Sequence, residues 1–376
     1  MSDNAYAKTG VNVDIEAEAS RIMHQASKQS FENRKGKLGE VIAPFDDFAA
    51  LKMVSVGNLP PDTYFSVGFD TAGTKVEIAE RVGRYDTIAY DVFAMVCDDA
   101  LLRGGEPVLV GTTLDVKSLG NDESKLEIVK ELAKGYVAAA KEANVAIING
   151  EIAQMGSLLN GYGEFPFHWG AACVWFAKKD NLLTGNEIKA GDSIVMLKEN
   201  GFRCNGWTLV RKIFEEAHGK EWHTVAHGGS TLGELALTPS IIYSRFVVGL
   251  HGGFETKGIA PLHGVAHITG GGIPEKLGRV LRVSKLGARL TDLYEPPEIM
   301  SYCQKLGGVS DQDAYRAWNM GQGMALITDT PERVLAYAKE KGVEAKVAGV
   351  VVDEPGITLV SKGVESPGSE LTFPVL

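Results

Sequence analysis

Short apolar runs alternate with segments of helical period along most of the chain, and glycine or small polar residues mark each change of period. No other feature restricts the fold as much. A strand buries a face and a helix buries a stripe, so strands and helices in alternation have to layer into an α/β architecture. The stretch FSVGFDTAGTKVEIAERVG, residues 65 to 83, shows the rule in miniature: apolar alternation, a small-residue turn, then a helical pattern.

The pattern predicts an amphipathic helix over 13–30, a strand over 64–69, a short helix after the turn, and a longer helix from Asp86 to Arg103 stopped by Gly104 and Gly105. Strands over 107–114, 145–150 and 169–177 and a helix over 125–143 complete this half. Beyond it, residues 206–217 and 239–250 read as helices, and 265–281 as strand, glycine turn and helix. A surface crossing around 180 sets the expected division into domains 1–180 and 181–376, in keeping with a length of 376 residues. One glycine turn in each half leaves an ancient duplication open.

The chain has 44% hydrophobic and 23% charged residues, an ordinary globular balance. A net charge of -10 argues against a broad nucleic-acid surface. No apolar core of a signal peptide and no run long enough to span a membrane is apparent, so a cytoplasmic location is expected. Cys97, Cys173, Cys204 and Cys303 are widely spaced and form no CxxC pair, which suggests reduced structural thiols.

The turn joins Asp70 and Lys75 around Gly73. Glycine admits close backbone approach, a helix N-terminus adds partial positive charge, and lysine adds a full one, a combination that suits phosphate. Plain structural use of such a turn fits as well. In the apolar helix that follows, Asp91 and Asp98 fall on nearly one face, about 10 Å apart along the axis. They fit either magnesium ions on a polyphosphate or a solvated helix face. Glu151 follows an apolar strand, where ligand sites are common. In AHITGGGIPEK, His267 precedes Gly270, Gly271 and Gly272, a run able to form an anion-binding concavity. His263 and His267 lie in loop and strand context, which disfavours a metal pair.

Together these segments resemble the aminoimidazole ribonucleotide synthetase (phosphoribosylformylglycinamidine cyclo-ligase) family. The matching stretches are YAKTGVNVD (6–14), FDTAGTKVEIA (69–79), YDTIAYDVFAMVCDDALLRGGEPVL (85–109), NGEIAQM (149–155), NGWTLVRKIF (205–214), AHITGGGIPEKLGRVL (266–281) and WNMGQGM (318–324). The resemblance implies two α/β domains with mixed sheets, the N-terminal one binding ATP and pairing its sheets into a barrel in a homodimer, the C-terminal one carrying the glycine-rich loop. It implies ATP and Mg2+ at the turn and the aspartates, and a small ribonucleotide substrate. Phosphoryl transfer to a formamide oxygen would create an imidate phosphate, and attack by the amidine nitrogen would close the ring and expel phosphate.

Carried over by position, Asp70, Asp99 and Glu151 are the expected metal ligands, and Asp99, His267 and Lys75 the expected catalytic groups. His267 would stabilise charge or shuttle a proton. Asp70, Gly73, Thr74, Lys75, Asp91 and Gly270–Gly272 would bind the nucleotide, and Arg203 and Asn205 the substrate. The chain departs from the family at several of these segments. Asp98 stands where the family has asparagine, Thr112 where it has aspartate with Asp115 three residues on, and Gln154 where it has glutamate. Arg203 and Cys204 replace a histidine and a serine, and a GGFG-type loop is not evident in IAPFDDFAAL. Three functions stand: the cyclo-ligase, an ATP-dependent paralogue acting on another small molecule, and an inactive nucleotide-binding regulator.

Overall fold

The computed structural model describes residues 12–42, 52–57, 59–120 and 123–375; the matching stretch 6–14 lies mostly outside them, as does most of IAPFDDFAAL. The chain forms two compact units. The first comprises residues up to Cys97 with Pro107–Phe176, the second Asp98–Glu106 with residues from Ala177 on. A single cut in the sequence therefore does not describe the division. Asp98–Glu106 clusters with the second unit because its side chains find partners there: the Glu106 carboxylate accepts the Phe254 amide at 2.7 Å, and Asp98 accepts the Tyr243 amide at 3.0 Å.

In the first unit, α1 (Val13–Ser30) starts at Asn12, whose side chain accepts the Asp14 amide, and packs on the helix Ser124–Ala143 and the strand Ala146–Gln154. β1 (Val41–Ile42) and β2 (Met53–Val54) make a small antiparallel ladder. β3 (Thr63–Thr71) leads into α2 (Val76–Val82) and α3 (Ile88–Asp98). β4 (Glu106–Val116), α4 (Ser124–Ala143), β5 (Ala146–Gln154) and β6 (Phe167–Lys178) follow, and the sheet order is β3-β6-β4-β5 with β4 and β5 parallel. Leu126, Val129, Leu132 and Tyr136 recur at helical spacing and form the buried stripe of α4. Tyr136 links Phe93 and Trp169 in the core, with ring centroids 5.7 and 5.3 Å away.

The expected helix 86–103 is shorter. α3 ends at Asp98 and the chain continues as a 3-10 turn, Asp99–Arg103, closed by Gly104 at φ +69. Asp98 and Asp99 are drawn into tertiary hydrogen bonds at the point where the helix tightens, and those contacts override local propensity.

In the second unit, β7 (Ser193–Lys198), α5 (Trp207–His218), the hairpin β8 (Ala226–His227) and β9 (Ser230–Thr231), α6 (Leu232–Ala236) and α7 (Ser244–His251) come first. β10 (Gly264–His267), α8 (Gly272–Leu281), β11 (Gly287–Leu290), α9 (Glu298–Gly307), α10 (Asp311–Ala317), β12 (Gln322–Thr328), α11 (Pro331–Lys341), β13 (Ala345–Val352), β14 (Ile357–Val360) and β15 (Glu370–Phe373) complete it. A mixed seven-stranded sheet runs β10-β12-β7-β13-β11-β14-β15, with β11 and β14 its parallel pair. Val195, Leu197, Met324 and Leu326 from its central strands join Phe246, Leu250 and Val334 in the core.

The predicted helix 239–250 begins only at Ser244. The amides of Ile241 and Tyr243 donate to Glu199 and Asp98 instead of forming a helical ladder.

Gly271 (φ +90) caps α8 and Gly272 (φ +59) opens it; a Cβ on Gly272 would overlap the Tyr315 carbonyl oxygen. Gly272→Ala is therefore expected to lower unfolding stability by on the order of 3 kcal/mol, read by denaturant titration. A loss within the scatter of exposed Gly→Ala changes would show that the close approach is not rigid.

Candidate functional site

At the turn of the first unit, Asp70 is half-buried and accepts the Thr71 amide at 2.7 Å. Thr71 Oγ1 accepts the Gly73 amide at 2.9 Å, Gly73 takes φ +56, and the exposed Thr74 lies in a 3-10 turn that runs into α2. Lys75 does not reach into solvent from this turn. Its Nζ donates to Asp91 Oδ1 at 2.8 Å, and both side chains are fully buried. The same pair overturns the solvated-face reading of Asp91.

Asp70, Asn149, Glu151 and His168 border a cavity of about 640 Å³ on the β3-β6-β4-β5 sheet, together with Gly111, Gly150 and Gly170. Thr112 also lines it, but its hydroxyl is 2.6 Å from the Tyr136 hydroxyl and buried. Asp115 is 3.4 Å from His168 Nδ1. Gln154 bridges the Leu119 amide and Glu16. His168 escaped the sequence reading; the signal available was a lone polar residue within the apolar run FHWGAACVWF.

The second unit holds a buried polar cluster. Arg203 Nη1 donates to Glu199 Oε2 at 2.6 Å and to the Ile241 carbonyl at 3.3 Å. Nη2 donates to Asp98 Oδ2 at 3.4 Å and to His267 Nε2 at 2.7 Å. His267 Nδ1 in turn donates to Asp99 Oδ1 at 2.8 Å. Arg203 and His267 are each 1% exposed, whereas the Asp99 side chain is 50% exposed. Arg203 thus faces its own unit's carboxylates and is not open to a substrate, contrary to the expectation. Its backbone lies at φ +58, a left-handed geometry that costs about 1–2 kcal/mol for a side chain of this kind. Asn205 Oδ1 lies against Gly270, so the second expected substrate contact does adjoin the glycine loop.

One guanidinium serves two buried carboxylates, and burial raises both. Asp98 is pushed up to about 8, against the opposing pull of Arg203 and the Tyr243 amide. Glu199 is raised as well, but it holds the shorter contact to Arg203 and accepts the Asn200 and Ile241 amides, so its charge is the better supported. Of the two, Asp98 is the carboxylate that burial drives toward its neutral form, at the position where the family has asparagine. Burial, then the charge of Arg203, pushes His267 down to about 4. Burial works against ionisation of Asp99, yet the His267 hydrogen bond and the nearby Lys276 and Arg203 charges outweigh it and hold Asp99 below the ordinary carboxylate range.

The structure therefore brings Asp70 and Glu151 to one cavity of the first unit, and Asp98, Asp99, Arg203 and His267 to one cluster of the second. Among the described residues no group of three or more His, Cys, Asp and Glu is placed to hold a metal ion.

Residues 45–173 match the domain family described as AIR synthase related protein, N-terminal domain, and residues 189–362 its C-terminal domain. The thiamine-monophosphate kinase structure from Stenotrophomonas maltophilia shares this fold, with a TM-score of 0.58 at 14% identity over 90% of this chain and 95% of that one. Fold and paired domains thus define an AIR synthase-related protein. Phosphoribosylformylglycinamidine cyclo-ligases of Pyrococcus furiosus and Thermococcus kodakarensis are each 32% identical over 363 residues, covering 96% of this chain and 98% and 99% of theirs. The chain belongs to the phosphoribosylformylglycinamidine cyclo-ligase family.

A carboxyl held near 8 in the native state and near 3.9 when unfolded binds the extra proton only in the native state. Its stabilising contribution is complete below about pH 4 and is lost as pH rises through 8. Asp98→Asn is expected to remove that fall, so that the variant gains about 4 kcal/mol on wild type between pH 5 and pH 9 in denaturant unfolding. Parallel pH profiles of the two proteins would refute the protonated Asp98.

Proposed function

We propose that this chain closes the imidazole ring of aminoimidazole ribonucleotide from formylglycinamidine ribonucleotide, consuming ATP to ADP and phosphate, in the cytoplasmic pathway of de novo purine biosynthesis. The observation that carries the reading is kinship over 96% of the chain with relatives that bear the cyclo-ligase name. Among the described residues no helix is long and apolar enough to cross a membrane.

The cavity of the first unit suits the phosphates of a nucleotide held with magnesium. Asp70 and Glu151 supply hard carboxylate oxygens, and Gly111, Gly150 and Gly170 keep its walls free of side chains. Magnesium usually takes one or two carboxylates and completes its shell with phosphate oxygens and water, so two acids suffice. Bound there, ATP supplies the phosphoryl group that makes the formamide oxygen a good leaving group. Lys75 and Asp91 brace the turn from below, which keeps Asp70 and the Gly73–Thr74 amides in place. In the second unit, Asp99 keeps a carboxylate half open to a ligand while His267 fixes its other oxygen. Because His267 Nε2 is occupied by Arg203, His267 acts as a hydrogen-bond donor and not as a proton shuttle. Asn205, beside Gly270, is placed to hydrogen-bond the ribonucleotide.

The partner is a second copy. Phe65, Val67 and Phe69 alternate along β3 and are 71%, 42% and 76% exposed, an apolar row that pairing of two N-terminal sheets into a barrel would bury. Phe69→Glu is expected to give a monomer in sedimentation velocity; an unchanged dimer would remove this face from the interface.

The activity is tested with ATP, magnesium and formylglycinamidine ribonucleotide, following ADP and aminoimidazole ribonucleotide together. Substrate-dependent formation of both is expected. Turnover only with another acceptor would point to a paralogue, and nucleotide binding without turnover to a regulator. Asp99→Asn should lower kcat/KM by about 10²-fold or more, and wild-type activity would remove Asp99 from the catalytic set.

A further inference from the structure

Arginine carries only N–H donors and has no acceptor. The 2.7 Å contact from Arg203 Nη2 to His267 Nε2 therefore requires a lone pair on Nε2, and the ring proton must sit on Nδ1, 2.8 Å from Asp99 Oδ1. The arginine is itself held from several sides. Glu199 and the Ile241 carbonyl take Nη1, the Tyr243 ring lies 5.6 Å from its guanidinium carbon, and Trp207 Nε1 donates to its backbone carbonyl at 2.8 Å. Its φ of +58 is a conformation that glycine or asparagine would take with less strain. Strain of this kind persists where the surroundings over-determine a residue, and the feature they determine here is the direction of the guanidinium.

We propose that Arg203 is a positioning residue that locks His267 in its Nδ1-protonated tautomer and, through that imidazole, orients the Asp99 carboxylate toward the reacting groups. The relay ends at a side chain that is half exposed, while every group behind it is buried. One oxygen of Asp99 is consumed by His267 and the other is left to face a ligand. The arginine thus acts without touching substrate, which replaces the substrate-binding role expected for it from sequence. The inference rests on the ring-closing reading only where activity is measured.

The test removes the relay from its exposed end first. In Asp99→Ala, whose altered side chain is half exposed, Arg203 alone holds the tautomer. Nitrogen-15 spectra of histidine-labelled protein at one fixed neutral pH, with His267 assigned by difference against His267→Gln, are expected to keep Nδ1–H over Nε2–H by at least about tenfold, as in wild type. Comparable populations, or a majority of Nε2–H, would overturn the proposal. Adding Arg203→Met with Glu199→Gln, which removes the guanidinium together with one of its carboxylates, should release the ring to both tautomers; an unchanged tautomer there also overturns it. If that variant does not fold, the spectrum of Asp99→Ala still decides. In the activity arm, Arg203→Met with Glu199→Gln and native Asp99 should lower kcat at least about tenfold, and wild-type kcat would overturn the positioning role. No ADP release by the wild-type protein would sink the ring-closing reading while leaving the tautomer result to stand on its own.

Discussion

A guanidinium taken out of water has to be matched by carboxylates whose remaining lone pairs are also satisfied, because an unmatched buried charge costs several kcal/mol. In the second unit that requirement reaches far from Arg203. Glu199 closes the strand β7 and accepts the Asn200 and Ile241 amides; Asp98 accepts the Tyr243 amide. Those two carboxylates turn residues 238–243 into an irregular segment and delay α7 to Ser244, so the loop's path follows from the charges it has to serve. His267, at the end of β10, takes the second N–H of Nη2. With one buried guanidinium between Glu199 and Asp98, burial favours the neutral form of Asp98, while His267, Lys276 and Arg203 keep Asp99 ionised.

A smaller version of the same solution stands in the first unit. Lys75 and Asp91 form a fully buried pair that joins the turn after β3 to α3. Such a pair adds little net stability compared with apolar residues of similar size, but it is specific, since either member alone would be left charged in the core. It fixes the turn against α3, and so fixes where Asp70 leaves β3.

Most of the fold was legible because periodicity reports which face of an element is buried, and burial forms the elements. The helices Val13–Ser30 and Ser124–Ala143 and the strands around 64–71, 106–116 and 146–154 follow from their apolar spacing. The elements that differ, α3 past Asp98 and the start of α7, are those whose backbone is spent on a buried carboxylate, and no local pattern encodes a partner more than a hundred residues away. The candidate site was legible in the same uneven way. Residue type and order marked Asp70, Glu151, Asp99 and His267, yet the meaning of each depends on its tertiary partner. Arg203 has the charge of a phosphate ligand and spends it on Glu199, Asp98 and His267; Lys75 spends its charge on Asp91. His168 stood out only as a lone polar residue in an apolar strand, and that becomes informative when β3, β5 and β6 bring it beside Asp70 and Glu151.

This division of labour bears on the proposed chemistry. The two cations that the sequence singled out are buried and paired, while Glu151 and Asp99 are exposed and Asp70 is half-buried. A cavity lined by Asp70 and Glu151 would repel a bare polyphosphate and attract one that arrives with hard cations, since carboxylates and phosphate oxygens share such ions readily. On the proposed reading, the chain's own positive charges set geometry, Lys75 by fixing the turn and Arg203 by fixing an imidazole, and its carboxylates set affinity. Substituting Arg203 should then disturb the orientation of Asp99 before it disturbs nucleotide binding, which separates a positioning arginine from a phosphate-binding one.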